Sequence, residues 1–376
     1  MSAYIIQSST LTGIADALRS KTGLFESFTP AQMISAIEDI SGDAVLSSVV
    51  FTSNGTYTPD AGYDGFNNVV VSVSTSGGSS DSIWAALVER TSSLAIDDVS
   101  GETKTIGSYA FYSHQKLTAV NFPSCSSIGD YAFNRASSLE SAIFPACEMI
   151  GLYAFASCKS MKTANFPACV IVSSYAFAYA GITSASFPSC TTIGERAFAQ
   201  CQFSSVDLPS CVTMGSYAFD NCDSLQTINL PMCSAIAVSA FSGCNKLTEV
   251  NASACTEVGS SAFRYGSKLA TVNIPSCQTL HPYAFAYCYS LPSISLPACN
   301  QIKTSAFYGC SRLISVWLGS SFCALAGSNA FSSTPIGGYS TVAGQYGSVF
   351  VPESLYSTYI ADSVWAYLSS RIVSVA

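Results

Sequence analysis

Charged residues are scarce in this chain. Only 10% of its 376 residues are charged while 49% are hydrophobic, and the formal net charge is −8. Nucleic-acid binding needs clustered Lys and Arg to neutralise phosphates, and no such cluster occurs, so the sequence argues against a nucleic-acid partner. No apolar run approaches the roughly 20 residues that span a bilayer, which predicts no membrane insertion.

The first residues, MSAYIIQSSTLTGIADALRS, also lack the features of a secretory signal. A signal peptide has a basic segment followed by a continuous apolar segment, and neither is present. We therefore expect synthesis in the cytosol, with a separate export or assembly route left open.

What the sequence has instead is a repeat of about 22 residues, marked by eleven Ala-Phe (AF) pairs. Seven of the ten intervals between pairs are 22 residues long, two are 21 and the last is 24. So constant a period predicts that each unit stacks on the next in register, because a slipped unit would carry its apolar residues away from the core. The phenylalanines of these pairs are Phe111, Phe133, Phe155, Phe177, Phe198, Phe219, Phe241, Phe263, Phe285, Phe307 and Phe331.

Within a unit, the pattern LxxVxFPxCxxIGxxAFxxCxx assigns a role to each part. The segment LTAVNF, residues 117–122, alternates apolar and polar residues and predicts a short strand with one buried face. Pro123 cannot donate a ladder hydrogen bond, so it ends the strand. Gly129 suits an unusual backbone angle or a close contact. The AF phenylalanine returns to the core, where full burial contributes roughly 1.5 to 3 kcal/mol.

The sixteen cysteines follow the same repeat. Nine come two residues after the Pro position, six come three residues after the AF phenylalanine, and only Cys323 lies outside these two columns. Other repeats fill the second column mostly with small residues, which predicts core packing and no metal site, and no CxxC pair is present to suggest zinc. Neighbouring strands about 4.8 Å apart leave adventitious disulfides under oxidation open.

The repeat unit resembles the BspA-like leucine-rich repeats of the surface-antigen type, whose pattern combines LxxI, a Pro, IGxxAF and a Cys shortly before the next Leu. The resemblance covers residues 100–333. The chain departs from that pattern by placing Cys where the family commonly has Leu after the Pro, and Ser253 in place of one Pro. The resemblance implies a right-handed repeat solenoid, with short parallel β-strands on the concave face and irregular or short helical structure on the other.

The flanking segments predict smaller modules. Residues 11–18 and 29–40 have helical apolar periodicity, and the second begins with an N-cap Thr followed by Pro. VVF and VVVSVS are typical strands around NG, PD and DG turns, and STSGGSSDS is typical of a linker. The predicted divisions are an N-terminal helical hairpin (1–41), a small β-hairpin module (42–76), a linker and N-terminal cap (77–99), the leucine-rich repeat solenoid (100–333) and a C-terminal cap (334–376).

The flanks also resemble segments of tail-associated structural proteins of phages and prophages. The segments are LTGIADALRSKTG with FTPAQMISAI, then NGTYTPDAGYDGFNNVVVSV, and a closing unit in which VFVPESL is followed by a Tyr and a Trp. This resemblance implies a virion protein assembled in the host cytoplasm. Its N-terminal module would bind other virion or tail proteins, and its solenoid a host surface protein or glycan. A BspA-like adhesin on the bacterial cell surface is the alternative, and the oligomeric state stays open.

Groups that could carry catalysis are few and dispersed. His114 and His281 are the two histidines, and both occupy positions that other repeats fill with Cys or Gly, so repeat variation explains them better than a role as general base. Asp97 and Asp98 precede the first repeat and fit a capping turn. No GxSxG, HExxH or P-loop spacing occurs. We expect no enzymatic activity, no cofactor and no metal.

Candidate binding residues lie on the outward side of the predicted strands. If Val120 and Phe122 point inward, Asn121 points outward, and the equivalent positions of other repeats are mostly amides and small hydroxyls. They form either a plain solvated surface with an asparagine ladder or a binding face, and Trp317 is the sharpest candidate on it. Tyrosines beside the AF pairs form a second array that suits either packing or glycan or protein contact. The binding candidates are Asn121, Asn165, Asp207, Asn229, Glu249, Asn251, Asn273 and Trp317.

Overall fold

The computed structural model describes residues 103–339 and 346–376 in full, and before them the backbone of four strands. These four strands are Ser2–Gln7, Val45–Phe51, Asn68–Ser74 and Leu94–Asp97. The chain divides into two compact units, unit 1 (residues 1–169 and 180–182) and unit 2 (residues 170–179 and 183–376). Both units contain the same repeating coil, and each is described by itself.

Every coil begins with a short strand, the a-strand, in which an inward apolar residue is flanked by outward and mostly polar ones. This strand matches the alternation that the sequence predicts. The a-strands of the repeats are Leu117–Asn121, Ser141–Ile143, Thr163–Asn165, Ser184–Ser186, Val206–Asp207, Thr227–Asn229, Glu249–Asn251, Thr271–Asn273, Ser293–Leu296 and Ser315–Leu318.

After the Pro turn each coil forms a second strand of two residues, the b-strand, which the sequence did not predict. Its second residue is the buried aliphatic residue that usually precedes the repeat glycine, as in Ile128 and Ile150. The b-strands are Thr105–Ile106, Ser127–Ile128, Met149–Ile150, Ile171–Val172, Thr192–Ile193, Thr213–Met214, Ala235–Ile236, Glu257–Val258, Thr279–Leu280, Gln301–Ile302 and Ala324–Leu325.

Equivalent strands pair in parallel and in register. In unit 1, Val120 lies opposite Ala142, and Ile128 lies opposite Ile150. In unit 2, the a-strand Glu249–Asn251 pairs with the a-strands before and after it, each 22 residues away. Each unit is therefore a parallel solenoid, as the constant period predicts.

The turns around the AF pairs form a third ladder of hydrogen bonds between coils. In unit 1 the backbone N–H groups of Tyr131 and Phe133 donate to the carbonyls of Leu152 and Ala154, each at 2.7 Å. Tyr131 adopts a left-handed backbone with φ of 58°, and the residue before the AF pair has a positive φ in ten repeats. This conformation costs a non-glycine residue about 1 kcal/mol or more. The bonds between coils offset that cost.

The AF phenylalanines fill the interior of both units, as predicted. In unit 1, Phe111 and Phe155 each stack on Phe133 with ring centroids 5.0 Å apart. In unit 2 the stack runs from Phe177 to Phe331 with spacings of 5.2 to 5.6 Å. All these rings are buried. The stack is the continuous core that one coil could not form alone.

All sixteen cysteines are buried free thiols. In the second column, the thiol of Cys244 donates to the carbonyl of Phe219 in the preceding coil at 3.1 Å. In the first column, the thiol of Cys233 donates to the carbonyl of Ala235 at 3.1 Å. Burial raises the pKa of Cys190 to about 11. The cysteines are thus small core residues whose S–H groups donate hydrogen bonds to backbone carbonyls, which confirms the packing interpretation.

Three antiparallel strands extend the a-sheet of unit 1. Ser2–Gln7 pairs with Asn68–Ser74 on one side and with Leu94–Asp97 on the other, and the last of these pairs in parallel with Leu117–Asn121. Val45–Phe51 pairs antiparallel with Asn68–Ser74, and these two strands include the VVF and VVVSVS segments. Ser2–Gln7 was expected to belong to a helical hairpin over 1–41, but it is a strand, since its β-prone Tyr and Ile residues complete this sheet.

The helices predicted over residues 11–18 and 29–40, and the linker STSGGSSDS beyond its first residue, lie outside the described residues. They stay predictions.

The C-terminal segment closes the last repeat with two strands and two helices. The strands Ser348–Pro352 and Ile372–Val375 continue the a-sheet of unit 2, and between them lie the α-helix Glu353–Ala361 and the 3-10 helix Ala366–Arg371.

Two buried aromatic side chains tie this segment to the backbone of Cys323. The Trp365 indole N–H donates to the Cys323 carbonyl at 2.8 Å, and the Cys323 N–H donates to the Tyr359 hydroxyl at 2.7 Å. These bonds satisfy backbone groups at the end of the repeats. In the described part of the chain, no helix is both long and apolar enough to cross a membrane.

Candidate functional site

The eight candidate residues all lie on a-strands, and all eight are exposed or half-buried. They do not form one cluster. In unit 1, Asn121 lies opposite Ile143, an exposed apolar residue that interrupts the polar column. In unit 2, Asp207 lies opposite Ser186, and Glu249 lies opposite Thr227 and Thr271. The polar column is therefore mixed in both units.

Three of the candidates form an asparagine ladder in unit 2. The side-chain amide of Asn251 donates to the side-chain oxygen of Asn229 at 2.7 Å, and the amide of Asn273 donates to the oxygen of Asn251 at 2.8 Å. Side-chain amides that bond to one another stabilise the stack and are less available to a partner. These three residues thus fit the ladder interpretation better than the binding one.

Trp317 lies in the same outward column as these asparagines, two a-strands after Asn273 in the sequence. Its side chain is 43% exposed. Its ring stacks on that of Phe350, with centroids 4.0 Å apart and ring planes 11° apart. Phe350 in turn lies opposite Val373, which is also exposed. We call these three residues the Trp317 patch.

Sequence reasoning missed Phe350 and Val373, because both come after the last AF pair. The alternation in SVFVP, residues 348–352, was the available signal, since it continues the inward and outward pattern of the a-strands. The patch gives this end of the a-sheet a flat apolar surface, whereas the column before it is lined by amides and hydroxyls. Large aromatic side chains of this kind dominate the energetics of protein interfaces.

The tyrosine array splits into separate groups. In unit 1, Tyr109 and Tyr153 each stack on Tyr131 at 4.9 Å, on the outer side of the turns. In unit 2, Tyr265 stacks on Tyr287 at 5.0 Å. These rings pack against each other and also face solvent in part, which fits the packing interpretation, whereas contact with a glycan or a protein stays a prediction.

Metal ligation finds no support in the parts of the chain that the structure describes. No group of three or more His, Cys, Asp or Glu side chains there is arranged to hold an ion. His281 lies 3.3 Å from the Glu257 carboxylate, on the surface of unit 2. This pair links two adjacent coils.

The family model described as a BspA type leucine rich repeat region matches six copies in this chain, over residues 89–189, 170–292 and 278–340. The chain belongs to the BspA-type leucine-rich repeat family. Leucine-rich repeat solenoids are in general non-enzymatic interaction scaffolds, and they typically bind other proteins or surface molecules. No curated protein matches the sequence.

The solved structures to which the chain is similar share little sequence with it. A leucine-rich repeat protein from Bacteroides ovatus is 20% identical, with 72% of this chain and 87% of that one covered and a TM-score of 0.41. A leucine rich cell surface protein from Faecalibacterium prausnitzii is 20% identical, with 64% and 88% covered and a TM-score of 0.35. The pneumococcal vaccine antigen PcpA is 13% identical, with 88% and 97% covered and a TM-score of 0.39.

These comparisons confirm the family that the repeats predict. They give no support to the tail-associated resemblance of the flanks. The predictions of a virion location and of tail partners therefore rest only on the sequence segments that suggested them.

Proposed function

We propose that this protein is a non-catalytic, adhesin-like binding protein that presents the a-strand face of its repeats to a protein or glycan on a surface. Family membership supports the role of an interaction scaffold, and a bacterial cell surface is the location that fits it. The observation that carries the proposal is the Trp317 patch, because a flat aromatic pair is left partly in water where the rest of the column in unit 2 is polar.

The stacking of Trp317 on Phe350 favours a preformed site. A ring held against its neighbour loses little conformational freedom when a ligand covers it, so less entropy opposes binding. The patch is small, and in unit 2 the column beside it has one charged residue, Asp207. We therefore expect a partner that offers an apolar or ring-shaped group with hydroxyls around it.

The test is binding of the labelled full-length chain to an array of immobilised glycans and an array of secreted proteins, followed by Trp317→Ala. We expect Trp317→Ala to weaken binding to the identified partner by at least about tenfold, as for an interface hot spot. Its thermal midpoint should fall by a few degrees at most, because an exposed cross-strand pair contributes only about 0.2 to 1 kcal/mol.

Ile143→Ala is the matched control, since Ile143 is an apolar residue at the equivalent outward strand position of a repeat in unit 1 and is 50% exposed. It should leave binding unchanged. Equal loss of affinity in both variants, or a large loss of stability in Trp317→Ala, would show that Trp317 is not a binding residue.

A further inference from the structure

Six side chains of unit 2 form an aromatic and cationic surface on the turns around the AF pairs. Tyr287 is its centre: its ring stacks on Tyr265 at 5.0 Å, meets Tyr308 edge-on at 5.3 Å and lies 6.0 Å from Tyr289. Tyr265, Tyr283 and Tyr289 are exposed. We call this surface the Arg264 patch, and its members are Arg264, Tyr265, Tyr283, Tyr287, Tyr289 and Tyr308.

Arg264 fits here because the neighbouring coils carry small residues at the equivalent position, Ser242 before it and Ala286 after it. Backbone hydrogen bonds between the coils hold Arg264 level with these small residues, since the Tyr265 N–H donates to the Ala286 carbonyl at 3.0 Å. The guanidinium therefore has room to lie over the Tyr265 ring, 4.7 Å from its centroid. It is 5.7 Å from the centroid of Tyr283.

The guanidinium is poorly satisfied by the protein itself. It has five N–H donors, and its described side-chain hydrogen bond is to the Tyr265 hydroxyl at 3.0 Å. Its Nε is shielded from solvent and has no hydrogen-bond partner in the described part of the chain. The ion pairs found among the described residues do not include Arg264. Arg264 is thus a positive charge without a described counter-ion, in a chain whose net charge is −8.

Arg196 is a second arginine of unit 2 that lies over a tyrosine ring, and its counter-ions belong to the chain. Its guanidinium lies 4.2 Å from the centroid of the Tyr217 ring, much as Arg264 lies over Tyr265. However, Arg196 also has carboxylates close by, Asp220 at 3.8 Å and Glu195 at 3.9 Å. The two arginines therefore differ in their counter-ions, since Arg196 has carboxylates close by and Arg264 has none among the described residues.

We propose that the Arg264 patch binds an acidic saccharide, with the sugar carboxylate paired to the Arg264 guanidinium and the sugar ring against an exposed tyrosine. The planar fork of arginine matches a carboxylate in two parallel hydrogen bonds. Tyrosine offers an apolar ring face for the C–H side of a sugar and a hydroxyl for its polar edge.

The size of the patch favours a saccharide over a protein. It spans three coils, which at about 4.8 Å per coil gives an extent of about 10 Å, enough for one or two sugar rings. A stable protein partner covers about 800 Å² on each side, far more than six side chains present. This site lies on the turns, so it is independent of the proposed role of the Trp317 patch.

The test measures binding of the full chain to matched saccharides that differ by one carboxylate: 3′-sialyllactose against lactose, and a glucuronic-acid disaccharide against its glucose counterpart. We expect the carboxylated member of at least one pair to bind more tightly. Arg264→Gln should remove roughly 10- to 100-fold of that preference, since charge-assisted hydrogen bonds are lost. Arg264→Lys keeps the charge but not the planar fork, and should lose less.

Arg196→Gln is the matched control and should leave saccharide binding unchanged. Circular dichroism melts establish that each variant is folded, and Arg264→Lys supplies the test if Arg264→Gln is not. Equal binding of neutral and carboxylated saccharides, no binding of either, an equal loss in Arg196→Gln, or stronger binding of an acidic peptide than of any saccharide would each overturn the proposal.

Discussion

The inside and the outside of each coil follow different rules. Inside, the same residue types recur at each level, as in the stacked Phe219, Phe241 and Phe263. Outside, the outward a-strand position holds residues as different as Ile143, Asn251 and Trp317. The interior is constant because every coil must present the same shape to its neighbours. The exterior is free to vary, so it differs from one repeat to the next.

Both the inside and the outside of the coils contain ladders of stacked rings, and the two ladders have nearly the same spacing. In unit 1 the buried pair Phe111 and Phe133 is 5.0 Å apart, and the outer pair Tyr109 and Tyr131 is 4.9 Å apart. The spacing of the coils sets both distances, whether or not water is excluded. What differs is the energy: removing an inner ring leaves a cavity, and removing an outer ring does not.

The largest effect is therefore expected for an inner ring. Phe241→Ala should lower the free energy of unfolding by about 3 to 5 kcal/mol, because Phe241 is fully buried and its two stacked neighbours cannot close the gap. Urea denaturation followed by circular dichroism measures the loss. Val238→Ala, on the outside of the same coil and 42% exposed, is the control and should change stability by less than about 0.5 kcal/mol. Similar losses in both would contradict the division into inside and outside.

The inner thiols give the next effect, which depends on pH. Burial raises the pKa of Cys190 and of Cys255 from 9.0 to about 11 in the folded chain. The folded state therefore holds these protons longer than the unfolded state, and their stabilising contribution is complete below pH 9 and is lost between pH 9 and about 11. A shift of two units corresponds to at most roughly 3 kcal/mol per thiol. The urea midpoint should fall across this window.

Other groups also titrate there, so the informative comparison is with a chain carrying Cys190→Ala and Cys255→Ala. Its midpoint should fall less steeply between pH 9 and 11 than that of the unchanged chain. In addition, a thiol reagent at pH 8 should label none of the sixteen cysteines rapidly before unfolding. Identical pH slopes, or rapid labelling of the native chain, would show that these thiols are accessible.

Most of the inner architecture could be predicted because it is repeated. The Phe stack, the cysteine columns and the inward Val120 follow from one period and one alternation, and eleven copies reduce the chance of a wrong register. Gly129 was predicted to serve an unusual backbone angle or a close contact, and the structure shows a close contact: a Cβ there would lie 2.6 Å from the Ser108 nitrogen of the neighbouring coil.

The outer features could not be read from the period, because each depends on two coils at once. The left-handed backbone at Tyr131 is stabilised by a carbonyl 21 residues away, at Leu152, and the position itself holds no glycine to signal it. Phe350 lies opposite Trp317 only because a later strand joins the sheet after the repeats end. The b-strands are two residues long, too short for any alternation to be seen.

The smallest effect is expected for the outer amide ladder. Asn251→Ala removes the amide that bonds to Asn229 and the oxygen that accepts from Asn273. Both bonds lie at the surface, where water replaces the lost partners, so we expect a loss of less than about 1 kcal/mol in urea denaturation. Asn165→Ala is the control, because Asn165 is exposed at the equivalent position with no side-chain hydrogen bond described, and it should cost still less. A loss above about 2 kcal/mol for Asn251→Ala would mean that the outside, like the inside, carries the stability of the stack.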